Sequence, residues 1–386
     1  MVGPDGAPAT LDPGVAGAEG QNMIGREPAQ RALLEAVDAA LGGQARAVAI
    51  VGEAGSGKTL LLEWLVARAA DRGMRVIAVR PVEGEADLPL AVMTDVVRPL
   101  TGLLAQLAPE HRQVLAAVAG GVGRASADRL LLAAATLALL AAAAEEQPLL
   151  LVLDDTHWVD PTSGRALGFA IRRLLADRVV VVAARRPAEP ERVDGPWVPL
   201  ALPGLTEDGV AELLNAAAGV RPTAAVVSRI VDETRGNPLA VSHLAGRLSP
   251  GALTGEVPLP MTLPLREVAH RTFAGLVRAL PQRTRTALAV VAAAGSAAAL
   301  LAPGALARLD LDSSDLVAAE DAGLLTGSSG SLTFEHPLYR AAALEVAGPA
   351  RVRRAHAALS AAAADRDPQR HAWHRGLSVL GTDEEA

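Results

Sequence analysis

The sequence predicts an α/β fold in which a parallel sheet flanked by helices is followed by largely helical segments. Short apolar runs alternate with helical stretches as far as residue 203, and a glycine-rich turn joins the first run to a helix. After Pro203-Gly204 the apolar residues recur almost only at helical spacing. Ala and Leu are abundant and aromatic residues make up only 2% of the chain, a composition that favours helices.

Five apolar runs are predicted to be the strands of the sheet. Most are continuous rather than alternating, and helical stretches separate the earlier ones. Continuous apolar strands are typical of a parallel sheet that is covered on both faces. The predicted strands are 47–51, 76–79, 149–153, 179–184 and 197–202.

The rest of the chain is predicted to form separate modules. Residues 1–21 are rich in Gly, Pro and Ala and are expected to be a disordered tail ahead of the domain at 22–203. A small helical unit follows at 204–250, and a Pro-, Gly- and Thr-rich linker at 251–264. Residues 265–348 show three helices, a hairpin signal and a further helix, the order expected of a winged-helix module.

Composition and charge exclude several classes of protein. The chain contains no Cys, which excludes disulfides, thiolate metal sites and Cys nucleophiles. The N-terminus lacks the features of a signal peptide, and the apolar stretch at 130–144 is shorter than the ~20 residues of a membrane span. The net charge is −7, and no strong basic face for nucleic acid is visible. The densest basic run, at 351–354, fits a solvated helix face better than a nucleic-acid contact. We expect a cytoplasmic protein with neither membrane contact nor direct DNA binding.

Residues 52–59 read Gly-Glu-Ala-Gly-Ser-Gly-Lys-Thr, the full pattern of a phosphate-binding loop between a strand and a helix. The backbone N–H groups turn toward the phosphates, Lys58 contacts the β- and γ-phosphates, and the Thr59 hydroxyl ligates Mg²⁺. Lys58 is the only lysine among 36 basic side chains, so its position is hard to explain by chance. The pattern predicts a P-loop NTPase that binds ATP or ADP with Mg²⁺. The predicted nucleotide-binding residues of this loop are Gly52, Glu53, Ala54, Gly55, Ser56, Gly57, Lys58, Thr59 and Leu60.

Two carboxylates end the apolar run at 149–153. The carboxyl ends of parallel strands face the ligand crevice, so Asp154 is expected to hold Mg²⁺ through water. Asp155 is then placed to act as general base on the attacking water. A strand that ends in a turn with incidental Asp residues is the alternative, and the preceding phosphate loop argues against it.

Arg185 ends the next predicted strand, where its charge can sense the γ-phosphate, and we expect the adjacent Arg186 to face solvent. His157 follows the acidic pair, and a role as a polar sensor and a purely structural role are equally well supported. Lys58, Asp155 and Arg185 are the predicted catalytic residues.

Taken together, these motifs resemble the ATPase part of STAND-type signal-transduction ATPases, specifically the large ATP-binding LuxR-family transcriptional regulators of actinobacteria. The resemblance extends from about residue 22 to the C-terminus. Besides the phosphate loop, the matching segments are Ile-Gly-Arg-Glu at 24–27, Leu-Asp-Asp-Thr-His-Trp-Val-Asp at 153–160, Gly-Asn-Pro-Leu-Ala at 236–240 and Phe-Glu-His-Pro-Leu at 334–338.

The resemblance implies further contacts with nucleotide. Ile24 and Arg26 would lie beside the adenine, Pro238 of a helical lid at 204–250 would pack on the base, and Arg185 would be the first sensor. His336 of the winged helix would contact the phosphates of ADP. Structural alternatives remain open, because Arg26 can start a helix, Pro238 can be an N1 proline, and His336 can cap the helix that begins at Pro337.

Relatives of this kind continue into long helical repeats and end in a DNA-binding domain, whereas this chain ends near the start of the repeats, at 349–386. The resemblance implies a slow Mg²⁺-dependent ATPase that switches between an ADP state and a self-associating ATP state. Partners would include a protein or small-molecule inducer. The alternatives are an AAA+ remodelling or initiator-like ATPase acting on DNA or protein, and a metabolic P-loop kinase.

Overall fold

The computed structural model describes residues 23–121, 129–187, 189, 191–295, 298–328 and 331–379. The predicted tail at 1–21 and the tip of the predicted hairpin at 329–330 lie outside the described residues. The chain divides into two compact units, residues 1–203 and 204–386. Each unit is described by itself.

The first unit contains a five-stranded sheet in which every pairing is parallel, in the order β2-β3-β4-β1-β5. This confirms the predicted parallel sheet. Because β4 lies between β1 and β3, the loops that follow these three strands meet at one edge. The strands are β1 Arg46–Val51, β2 Arg75–Val79, β3 Leu149–Leu153, β4 Val179–Arg185 and β5 Val198–Ala201.

Both faces of the sheet are buried, and β3 shows why its sequence is apolar throughout. Leu149, Leu151 and Leu153 belong to one hydrophobic core, whereas Leu150 and Val152 belong to another on the opposite face. Successive strand residues point to opposite faces, so a strand covered on both sides must be apolar at every position. β3 therefore presents its first polar residue only at its carboxyl end.

Helices cover the two faces. The helices α1 and α2 contribute to one core, and α3, α4, α5 and α6 to the other. None of the described helices is long and apolar enough to span a membrane. The helices of the first unit are α1 Glu27–Leu41, α2 Lys58–Asp71, α3 Ala91–Val97, α4 Pro109–Ala119, α5 Arg129–Glu146 and α6 Pro161–Ile171, with 3₁₀ helices at Glu83–Glu85, Arg98–Gln106 and Thr156–Trp158.

The helical structure changes type between residues 90 and 107. Its α-helical part ends at Val97, and a 3₁₀ helix follows with Pro99 near its start. Proline lacks the N–H that an α-helix requires and clashes with the preceding turn. The helix α4, which starts at Pro109, was not predicted from the periodicity of the sequence.

The described residues of the second unit form helices and one antiparallel hairpin of β6 Leu325–Ser328 and β7 Ser331–Phe334. The short helix α10 occupies the start of the segment predicted to be a linker, and α15 is interrupted at Gly348. Its helices are α7 Glu207–Ala218, α8 Ala224–Thr234, α9 Pro238–Ala245, α10 Pro250–Thr254, α11 Arg266–Ala279, α12 Gln282–Ala294, α13 Ala298–Ala307, α14 Val317–Asp321, α15 Pro337–Ala363 and α16 Pro368–Ser378, with a 3₁₀ helix at Ser313–Leu316.

Near the start of the second unit, the backbone at residues 204–205 crosses the backbone at residues 235–236 at close range. The Leu205 N–H donates to the Gly236 carbonyl at 2.7 Å. A Cβ on Gly204 would lie 1.8 Å from the Arg235 carbonyl oxygen, and a Cβ on Gly236 would lie 2.1 Å from that of Leu205. The crossing therefore requires glycine at both positions, which explains the first residue of the Gly-Asn-Pro-Leu motif by geometry.

Candidate nucleotide-binding site

The loop after β1 has the conformation that its glycines permit. Gly55 and Gly57 have φ angles of 78° and 93°, in the left-handed region that favours glycine. Gly57 immediately precedes α2, which begins at Lys58. At Gly52 an added Cβ would lie 2.7 Å from Ser56 Oγ and 3.0 Å from the Leu202 carbonyl oxygen. Three of the motif glycines are thus required by backbone angle or by close packing.

Lys58 lies inside this loop. Its Nζ donates to the carbonyl oxygens of Gly52 and Glu53, both at 2.9 Å, and the residue is only 7% exposed. Burial, followed by the nearby charge of Arg186, lowers the pKa of Lys58 from its ordinary value. The amine is therefore oriented by its own loop, at the N-terminus of α2, where anions are favoured.

Thr59 and Asp154 connect this loop to the end of β3. Thr59 Oγ1 donates to Asp154 Oδ2 at 2.9 Å, and the Asp155 N–H donates to Asp154 Oδ1 at 3.0 Å. Arg80 Nε lies 3.8 Å from Asp154 Oδ2. Asp154 is fully buried, and this burial, followed by the charge of Asp155, raises the pKa of its carboxyl group. The structure thus brings both predicted metal ligands into contact.

Asp155 differs from its neighbour in backbone and in exposure. Its φ of 48° places it in the left-handed region, which is uncommon for a residue other than glycine and is often found at functional sites. Its side chain is 25% exposed, and Oδ1 lies 4.0 Å from His157 Nδ1. Of the two carboxylates, the one predicted to be the general base is thus the one that solvent can reach.

Arg185 ends β4, and Arg186 directly follows it. Val51 and Arg185 pair in register, and the Gly52 N–H donates to the Arg185 carbonyl at 3.2 Å. Arg186 was expected to face solvent, but its charge lowers the pKa of both Lys58 and His157, and its Nε is buried. The prediction that Arg186 faces solvent was therefore wrong, since the residue is half-buried and its charge acts on Lys58 and His157.

Polar atoms without partners are concentrated at this edge of the sheet. Among the described residues, eight buried side-chain atoms lack a hydrogen-bond partner, and five of them belong to residues beside the loop. Such groups are costly unless a ligand or water satisfies them. These five atoms are Ser56 Oγ, His157 Nδ1 and Nε2, Arg185 Nε and Arg186 Nε.

The donor set fits a magnesium nucleotide. Mg²⁺ in such sites is usually held by one or two protein oxygens together with phosphates and water. Thr59 Oγ1 and the Asp154 carboxylate offer such oxygens side by side. The part of the chain that the structure describes contains no group of three or more His, Cys, Asp or Glu residues suited to a metal. The two oxygens that Thr59 and Asp154 supply fit a metal that shares its coordination with phosphate.

Residues 22–182 match the family model described as the AAA ATPase domain. This segment is therefore similar to AAA ATPase domains. The match ends within β4, so it characterises the first unit and leaves the second unit unassigned. No match was found among curated protein sequences.

Several solved structures are similar to most of this chain. A Walker-type ATPase of Pyrococcus abyssi has a TM-score of 0.50 at 12% identity and covers 83% of this chain and 96% of its own. A STAND protein with a tetratricopeptide repeat sensor from Pyrococcus horikoshii covers 88% and 46%, at 14% identity and a TM-score of 0.37. Cdc6p from Pyrobaculum aerophilum covers 92% and 97%, at 16% identity and a TM-score of 0.42. Because the identity is only 12%, the similarity to the Walker-type ATPase shows a shared fold alone.

Arg26 of the first unit makes hydrogen bonds that hold the backbone together. Its NH1 donates to the Pro203 carbonyl at 2.9 Å and its NH2 to the Ser56 carbonyl at 3.0 Å. The residue is 7% exposed, and burial lowers the pKa of its guanidinium group. Arg26 therefore fastens the phosphate loop to the last residue of the first unit. Contact of Arg26 or the half-buried Ile24 with adenine stays a prediction.

Asp160 of the first unit was assigned no role from the sequence. It is fully buried, and its carboxylate accepts N–H groups from Leu90, Val92, Thr162 and Ser163. It thus caps α6 and holds the start of α3. The signal that could have found it is an Asp placed directly before a proline and a helical stretch, which is typical of an N-cap.

Pro238 and His336 belong to the second unit. Pro238 is the first residue of α9, after the N-cap Asn237. His336 caps α15, since its Nδ1 accepts the Leu338 N–H at 3.1 Å. The ring is 6% exposed and packs near Phe273 and Tyr339, so the expectation of a side chain free to point away was wrong. Contacts of Pro238 and His336 with nucleotide stay predictions.

Proposed function

We propose that this protein is a signal-transduction ATPase that acts as a switch between ADP and ATP states. The observation that carries the proposal is the contact between Thr59 and Asp154, which joins the phosphate loop to the acidic end of β3. Lys58, buried in the same loop, supplies the cation for the phosphates. This arrangement supports binding of Mg²⁺ and ATP followed by hydrolysis.

The proposed chemistry assigns a separate task to each side chain. Thr59 and Asp154 would hold Mg²⁺, which neutralises charge on the phosphates when it is bound. Asp155 would accept a proton from the attacking water, because it is the exposed carboxylate of the pair. Arg185 and Arg186 would use their unpaired Nε groups near the developing charge. Hydrolysis is proposed to be slow and to reset the switch.

The second unit would respond to which nucleotide, ADP or ATP, is bound. In this proposal Pro238 packs on the base and His336 contacts the phosphates of ADP, which favours a closed form. ATP would favour an open form that self-associates, under control of a protein or small-molecule inducer. The populations depend only on how differently the two forms bind each nucleotide. Resemblance to LuxR-family regulators supports a role in transcriptional regulation without direct DNA binding by these residues.

The nucleotide that the purified protein retains tests this proposal. We expect bound ADP after purification, identified by denaturation and chromatography, and a mostly monomeric protein by light scattering. Exchange into a non-hydrolysable ATP analogue should increase the mass. A separate assay of ATP hydrolysis should give the same rate with and without duplex DNA. Weak nucleotide retention together with DNA-stimulated turnover would contradict the switch and support a remodelling ATPase.

A further inference from the structure

A second concave site lies in the first unit and includes none of the residues assigned to the nucleotide. It is a cleft of about 710 Å³ between α4, α5, α6 and the segment 191–194. Its floor is apolar and buried, with Leu90, Val118, Leu132 and Ala166 each at most 4% exposed. Small-molecule sites are typically clefts of roughly 300–1,000 Å³ with apolar linings.

The walls of this cleft are fixed by backbone contacts. Segment 191–194 lies so close to α6 that a Cβ on Gly164 would be 2.1 Å from the Arg192 carbonyl oxygen. A Cβ on Gly168 would be 2.4 Å from that of Asp194. On the other side, the Leu90 N–H donates to the buried Asp160 at 3.0 Å. The cleft is therefore part of the packed fold.

Charge at the rim is predominantly positive. Four arginines line the cleft against two carboxylates, and one arginine, Arg172, pairs with Asp194. Leu130 also reaches the rim and is 63% exposed. An apolar floor beneath surplus arginines matches a molecule with an apolar body and a negative head, because guanidinium groups bind carboxylates with charge-assisted hydrogen bonds. The four arginines are Arg129, Arg165, Arg172 and Arg192.

We propose that this cleft is a binding site for a small organic anion with an apolar body, of the class of medium-chain carboxylates. The apolar part lies on the floor formed by α4, α5 and α6, and the carboxylate meets Arg165 and Arg192 at the rim. The site does not depend on nucleotide, since the phosphate loop contributes nothing to it.

Calorimetric titration with decanoate tests the proposal, with decylammonium as a probe of equal chain length and opposite charge. We expect decanoate to bind with one site per chain, and decylammonium to bind at least tenfold more weakly. The double variant R165A/R192A should lose at least about tenfold in decanoate affinity. R112A removes an arginine from α4 outside the cleft and should bind decanoate as the unaltered protein does.

A second variant fills the cleft. Ala117 is half-buried on its wall, so A117W should abolish decanoate binding while ATP binding and the melting temperature stay near their original values. K58A should retain decanoate binding even if it no longer binds ATP, which separates this site from the proposed nucleotide function. Equal binding of both probes, or unchanged decanoate affinity in R165A/R192A and A117W, would overturn the proposal.

Discussion

Thr59 Oγ1 donates a hydrogen bond to Asp154 Oδ2 at 2.9 Å, across 95 positions of sequence. The bond joins the first turn of α2 to the end of β3, two elements that the sheet order places near the same edge. This contact places the Thr59 hydroxyl and the Asp154 carboxylate close enough together to bind one cation.

Replacing Lys58 by Ala should abolish measurable ATP binding, with a loss of at least about 100-fold, and leave the fold intact. The amine contributes charge-assisted hydrogen bonds, each worth ~1.5–3 kcal/mol to a phosphate. Calorimetric titration with ATP and circular dichroism measure the two effects. R112A, which also removes one positive charge, is the control. Normal ATP affinity in K58A would refute the assigned role.

Asp155→Asn should slow hydrolysis by ~10²–10⁴-fold and change ATP affinity little, because loss of a general base affects the reaction more than the complex. Asp154→Asn is the matched variant, and it should weaken binding of ATP in the presence of Mg²⁺. Single-turnover rates and binding titrations distinguish the two variants. If D155N reduces affinity and rate together, Asp155 belongs to the metal site.

His336→Ala should weaken ADP binding by roughly 10- to 150-fold, as expected for one hydrogen bond to a charged phosphate, and leave ATP binding nearly unchanged. It should also lower the melting temperature, because His336 caps α15. His336→Ser is the control that separates the two effects. Serine is a favoured N-cap residue, so it should restore the melting temperature without the imidazole. An unchanged ratio of ADP to ATP affinity in H336S would leave His336 with the capping role alone.

Gly236→Ala should destabilise the second unit by several kcal/mol, since the new methyl group would collide with the Leu205 carbonyl. Gly219→Ala is the matched control. Gly219 has a similar φ of 71°, against 67° for Gly236, but nothing lies within 4 Å of its added Cβ. It should cost only the ~1–2 kcal/mol of a left-handed alanine. Urea unfolding measures the loss in free energy of unfolding for both variants. Equal losses would show that the close contact between Gly236 and the Leu205 carbonyl does not require glycine.

Stability should fall as the pH drops from about 6.5 toward 4. Burial lowers the pKa of both His336 and His356 to about 4, so they stay neutral in the folded protein over this range. The unfolded chain takes up these protons below its ordinary pKa of ~6.5, which favours unfolding by up to about 1.4 kcal/mol per pH unit for each histidine. Above about pH 6.5 the unfolded chain no longer takes up these protons, so the two histidines no longer lower the stability of the folded protein.

The second of these histidines lies in a pair. His356 Nδ1 and His374 Nδ1 are 2.9 Å apart, so one ring must donate and the other accept. The charges of His374 and Arg340 add to the burial that lowers the pKa of His356, and Arg370 adds to that of His374. Melting curves between pH 7.5 and 5 measure the effect. His356→Leu should flatten the pH dependence of the melting temperature.

Much of the first unit was predictable because its signals are local. The phosphate loop is contiguous, its glycines set its backbone angles, and a strand buried on both faces must be apolar at each position. The acidic pair was found for the same reason, since polarity returns only where β3 ends. Lys58, Thr59, Asp154 and Asp155 could therefore be named from short stretches of sequence.

The tertiary structure decided what depends on contacts between distant segments. Sequence spacing did not show that Arg26 reaches the carbonyls of Ser56 and Pro203, or that Arg186 lies near Lys58. The same holds for the crossing at Gly236 and the burial of His336. A local pattern fixes backbone conformation and which face is buried, whereas the partner of a buried polar group is chosen by packing across the whole unit.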